Sequence, residues 1–117
     1  MFSSPIIFQQ KNSIVSENVC FQKKELSKIL NIYGRMVSIG EWRDYGISIF
    51  SDVSVFSIYK GYGESPIYTI EKRPKFEKRN GKFSVVGVDG AILKRANDLE
   101  VILSFFSRKL MKLYKIT

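Results

Sequence analysis

Two apolar stripes of helical period enclose a middle stretch whose apolar residues alternate. Leu26, Ile29, Leu30, Tyr33 and Val37 recur at i, i+3, i+4, i+7 and i+11, the spacing of one helix face. They predict a helix from Lys23 to Ile39. Phe21 before it and Leu26 inside it suit a hydrophobic staple around a Gln22 cap, with Glu25 at the third helical position. Gly40 supplies a left-handed exit. The second stripe is Leu99, Ile102, Leu103, Phe106, Leu110 and Leu113. Asn97 is the expected cap, and Glu100 three residues later completes a capping-box pattern. Arg108, Lys109, Lys112 and Lys115 complement the C-terminal end of that helix dipole.

Between the stripes the period falls to two. Tyr45, Ile47 and Ile49 alternate with polar residues, and Ser51-Asp52 can turn the chain. Val53 to Tyr59 reads as a second strand, Ile67 to Arg73 as a third, Lys82 to Gly87 as a fourth and Ala91 to Lys94 as a short fifth. Gly61 to Ser65 is a loop, Pro74 ends the third strand, and Asp89-Gly90 is a hairpin turn signal. Short links between successive strands predict an antiparallel meander. The expected fold is therefore α+β: an N-terminal helix, a four- to five-stranded antiparallel meander and a C-terminal amphipathic helix, with both helices on one sheet face. Residues 1 to 20 show no sustained period and read as a flexible N-terminal tail, leaving 21–117 as a single domain.

The segments Glu41-Trp42-Arg43-Asp44-Tyr45, Ile70-Glu71-Lys72-Arg73-Pro74-Lys75 and Ile92-Leu93-Lys94-Arg95, with Asp98-Leu99 after them, carry a likeness. Ile32-Tyr33-Gly34-Arg35-Met36 adds to it. In this order they resemble the alphaproteobacterial family called domain of unknown function 2794, over about residues 21 to 112. The resemblance implies a small bacterial cytoplasmic protein. It implies no activity and brings no catalytic residue. One departure is local: no histidine precedes the Asp98-Leu99 pair, where the family pattern leads one to expect it.

Composition and charge narrow the function classes. The chain has no histidine, so Ser-His and Cys-His nucleophiles and the usual zinc-hydrolase arrangements are excluded. No metal site and no cofactor is expected. Glu41 and Asp44, flanking Trp42 and Arg43, are the carboxylates an enzyme would use. Such an enzyme would need a concave pocket near Trp42. The plainer reading is that Arg43 pairs with a nearby acid there, and the chain is expected not to be an enzyme. Cys20 has no partner cysteine, no apolar run approaches the ~18 residues of a membrane span, and no secretory signal is recognisable. A cytoplasmic location without membrane association follows as the expectation.

The formal charge is +8, from 19 basic and 11 acidic residues. Six cations and two anions, a net of +4, fall between Glu71 and Lys82. In the third strand, Lys72 shares a face with Tyr68 and Ile70, while Arg73 shares the other with Thr69 and Glu71. The candidate ligand-binding residues are Lys72, Arg73, Lys75, Lys78, Arg79, Lys82, Lys94 and Arg95, with Tyr59, Tyr62, Tyr68 and Phe76 interleaved. Lysine neutralises phosphates, and aromatic rings and arginine planes stack bases. These features predict a small, basic, non-enzymatic binding module whose partner is RNA or DNA, RNA first. The alternative is a protein-interaction or regulatory adaptor that recognises an acidic protein, with Val101 and Phe105 as a homodimer contact. A purely compositional origin of the basic residues competes with both, and a solvated basic hairpin that blocks edge aggregation would look the same.

Overall fold

In the computed structural model the described residues are 19–61 and 65–116, with the side chains of 114–116 left aside. The tail expected over residues 1 to 20 lies outside them except for its last two members. Those two are bonded to the domain: the Val19 N–H donates to the Phe50 carbonyl at 3.1 Å, and the Cys20 carbonyl accepts from Lys72. Most of the Gly61–Ser65 loop, including Tyr62, also lies outside the described residues.

The chain runs helix α1 (Lys23–Ser38), strands β1 (Asp44–Ile49), β2 (Ser54–Tyr59), β3 (Tyr68–Lys72), a 3-10 turn (Pro74–Arg79), β4 (Phe83–Gly87), β5 (Ile92–Ala96) and helix α2 (Leu99–Ile116). The five strands form one antiparallel sheet in sequence order. The expected meander and α+β fold are present. The cross-strand row Ile47–Phe56–Ile70–Val85 shows the register. Period-2 alternation places these residues on one face, and both helices cover that face. Phe56, Ile58, Ile70, Val85, Ile29, Ile102 and Phe106 are the fully buried heart of the core. Each contributes about 1.5–3 kcal/mol by leaving water.

The stripe of α2 is buried as expected through Leu110. The stripe of α1 is rotated from the expected one. Its buried residues are Ile29, Ile32 and Met36, whereas Val37 is exposed. The helix packs against α2 as well as the sheet, and that second neighbour draws the buried face round by part of a turn. Gly40 takes the expected left-handed φ of 82° and Gly90 one of 87°.

Helix α2 is capped by Asp98, not by Asn97. The Asp98 carboxylate accepts from the Glu100 N–H at 3.0 Å, and its carbonyl accepts from Val101. Asn97 instead stitches three segments. Its Oδ1 accepts from the Lys82 N–H at 3.0 Å, its Nδ2 donates to the Glu77 carbonyl at 2.8 Å, and its N–H donates to Asn80 Oδ1 at 3.3 Å. Asn80 ends the 3-10 turn with φ 55°, a conformation asparagine tolerates better than most residues.

Glu25 ties α1 to the sheet. Its carboxylate accepts from the Gln22 N–H at 2.7 Å, as a capping residue does, and from Lys72 Nζ at 2.8 Å. Lys72 is only 5% exposed and also donates to the Cys20 carbonyl at 2.9 Å. In the same cross-strand row, Ser54 is fully buried and its hydroxyl has no partner among the described residues.

Two outcomes are expected in chemical denaturation. Lys72→Ala strands the Glu25 carboxylate and costs about 3–5 kcal/mol, whereas the double change Lys72→Met with Glu25→Leu recovers most of that loss. Asn97→Ala costs about 0.5–1.5 kcal/mol, because the half-buried Lys82 N–H and the Glu77 carbonyl of the 3-10 turn lose their side-chain partner. If Lys72→Ala unfolds at the wild-type denaturant midpoint, the buried pair contributes nothing.

Candidate polyanion-binding surface

Strand β3 divides the basic cluster between the two faces of the sheet. Lys72 points inward, so it is withdrawn from the expected ligand surface; its charge is spent on Glu25 and on a backbone carbonyl. Lys94 pairs in register with Val85 and so lies on the helix-covered side. Arg95 pairs with Ser84, which pairs with Glu71, placing all three on the open face. Neighbouring residues in the sequence therefore act on opposite sides of the molecule. Lys82 holds its ammonium over the Phe83 ring at 5.6 Å.

What gathers on the open face centres on Phe76, a half-buried residue of the 3-10 turn. Arg79 lies 5.2 Å from its ring centre, Lys75 5.6 Å and Arg73 6.0 Å. The ring's negative faces hold the three cations together against their mutual repulsion. Arg95 joins from β5 by crossing Gly81, where a Cβ would stand 2.8 Å from Arg95 Cδ and 3.6 Å from Phe76 Cβ. A glycine is needed there for that approach. Arg73, Phe76, Gly81 and Arg95 line a groove of about 350 Å³, with Glu71 and Ser84 in its floor. Lys78 is exposed on the same turn.

Carboxylates reduce this field. Glu71 accepts from Arg73 at 3.2 Å and from the Thr69 hydroxyl. Asp52, in the β1–β2 turn, pairs with Lys75 at 3.1 Å. The hydrogen bond and charge of Lys75 hold the Asp52 carboxyl below the ordinary carboxylate range. Since its folded value is depressed, the pair's contribution is present above about pH 4 and is lost as pH falls through that lowered value. Of the cations around Phe76, Arg79 and Arg95 form no ion pair among the described residues, and neither does Lys78.

The other sequence candidates fall elsewhere. Phe105 is half-buried, its ring 5.2 Å from Phe106 and 6.2 Å from Tyr68, while Val101 stays exposed. A concave site does adjoin Trp42, a cleft of about 700 Å³. Glu41 lines it and Asp44 does not, so those two carboxylates do not meet there. Glu41 lies 4.0 Å from Lys60, and the Asp44 carboxylate accepts from the Tyr45 N–H. Among the described residues no group of acids and cysteine is arranged to hold a metal ion, and no helix is long and apolar enough to cross a membrane.

One surface escaped the sequence reading. Edge strand β1 exposes Tyr45, Ile47 and Ile49 at 39%, 40% and 48%, all on the helix side of the sheet, with Phe50 beyond them. The opposite edge, β5, carries Lys94 and Arg95 and pairs with β4 through a register shift at Val85 and Val86, features that discourage strand addition. β1 carries no lysine, arginine or proline. The alternation of Tyr45, Ile47 and Ile49 was legible, but its position at an outer edge was not.

Comparison with curated proteins and with solved structures returns no match. A family model described as a protein of unknown function, DUF2794, matches residues 19–103, a span that includes α1, the whole sheet, the Phe76 cluster and the first turn of α2. The match covers well over half the sequence, so the chain belongs to the DUF2794 family.

Proposed function

We propose that this chain is a non-enzymatic binding module that takes single-stranded nucleic acid, RNA first, on its open sheet face. The observation that carries this reading is the gathering of Arg73, Lys75 and Arg79 over Phe76, with Arg95 in the adjoining groove, on the sheet face opposite the two described helices. Arginine offers a planar fork to phosphate and a flat surface to a base. Phe76 holds the guanidinium groups in place more than it offers itself as a platform, because cations already crowd its ring. Lys72 and Lys94 take no part.

Salt dependence distinguishes this arrangement from one in which all eight cations act. Each phosphate contact to a single strand contributes about 0.7 to the slope of log affinity against log salt. Three contacts, from Lys78, Arg79 and Arg95, give a slope of about −2, whereas eight would give about −6. The expected result of an anisotropy titration with labelled oligoribonucleotides is a slope near −2 that flattens in Arg79→Ala/Arg95→Ala. No binding at low salt would overturn the proposal.

A second reading, a protein-interaction adaptor that self-associates, is favoured by one observation: the apolar side chains that edge strand β1 leaves exposed among the described residues. An antiparallel two-fold pairing about Ile47 sets Ile47 against its own copy and Tyr45 against Ile49, all on one face. On this reading the homodimer contact moves from Val101 and Phe105 to β1. Sedimentation equilibrium is expected to show a concentration-dependent dimer that Ile47→Lys abolishes. A monomer at every concentration removes this reading.

A further inference from the structure

We propose that the cleft beside Trp42 is a binding site for an amphipathic carboxylate, a slender apolar body with one anionic end. The cleft is distinct from the basic groove. Its floor includes Tyr68 and Gly87, which pair in register on the helix-covered side, whereas the groove contains Glu71 and Ser84 from the open face. At about 700 Å³ it falls within the ordinary size range of small-molecule sites.

The chemistry of the lining points to this ligand. Met36, Trp42, Ile67, Leu93 and Leu113 form a largely apolar wall. Met36 and Trp42 belong to the buried core, so this part of the wall is rigid and already in place. Leu93 projects from the hairpin and is 41% exposed, which leaves apolar surface for a ligand to cover. The charges lie at the sides. Lys60 is near Glu41, and Asp89 accepts from the Ala91 N–H. Lys109 and Lys112, on the last turns of α2, have no carboxylate partner among the described residues. Lys109 extends its ammonium over the Phe105 ring at 5.3 Å. The surplus at the mouth is cationic, which complements an anionic head. The negative end of the α2 dipole offsets part of that surplus. The apolar body therefore supplies most of the affinity, and the lysines supply the preference of sign.

The chain contains one tryptophan, so its emission reports this cleft directly. The test is a titration of the full chain with decanoate below its micellar concentration, beside decanol and decyltrimethylammonium. The expected result is a saturable one-site change with decanoate, roughly tenfold tighter than with the ammonium amphiphile. In Lys109→Glu/Lys112→Glu the order of the two reverses. Should that variant not fold, high salt applied to the wild-type chain tests the same point: decanoate weakens and decanol does not. Absence of a saturable change with decanoate overturns the proposal, as does equal affinity for the carboxylate and the ammonium. Neither outcome touches the nucleic-acid reading, whose residues lie across the sheet.

Discussion

The pleat of strand β3 is the constraint on which the molecule's organisation depends. Successive side chains must leave a strand on opposite faces. Lys72 and Arg73 are neighbours in the sequence, yet one is held inside beneath α1 while the other contributes to an open surface. The inward lysine would be intolerable alone. It is accepted because Glu25 reaches it from the first turn of α1 and the Cys20 carbonyl accepts a second hydrogen bond from it. One ion pair thus sets where α1 begins and how it meets the sheet. The outward residues are left for solvent or a ligand.

From that division follow two surfaces of different character. On the helix side, the core narrows toward Trp42 and opens into an apolar cleft edged by lysines of α2. On the open side, a short 3-10 turn presents Phe76, whose ring organises Arg73 and Arg79, and Arg95 reaches the same groove from β5 across Gly81. The turn itself is held by Asn97, which joins it to β4 and to the entry of α2. Packing at the start of α2 therefore governs the position of the basic surface, linking the most apolar helix to the most charged segment.

Much of this was legible in the residues. The two helical stripes, the alternation of the strands and the Asp89-Gly90 turn specify the α+β meander. The facing of Lys72 with Ile70, against Arg73 with Glu71, also follows from spacing alone. What spacing does not contain is depth. Nothing local distinguishes a buried lysine from a solvated one; that depends on Glu25, 47 residues away. The rotation of α1 toward Ile32 and Met36 depends likewise on α2. Asn97 and Asp98 are both good caps, and only the tertiary demand of the 3-10 turn for a side-chain amide decides between them. The exposure of β1 needed the strand order. The Trp42 cleft needed five elements, α1, β3, β4, β5 and α2, brought together.

The division of cations by the sheet is tested most directly by following the arginine side chains themselves. The six arginines each give an Nε–Hε correlation in a 15N-labelled sample. On addition of a short single-stranded oligoribonucleotide, the signals of Arg73, Arg79 and Arg95 are expected to move together and saturate, while those of Arg35 and Arg108 stay in place. Uniform movement of all six, or movement led by the helical arginines, would contradict a binding surface built on the open face.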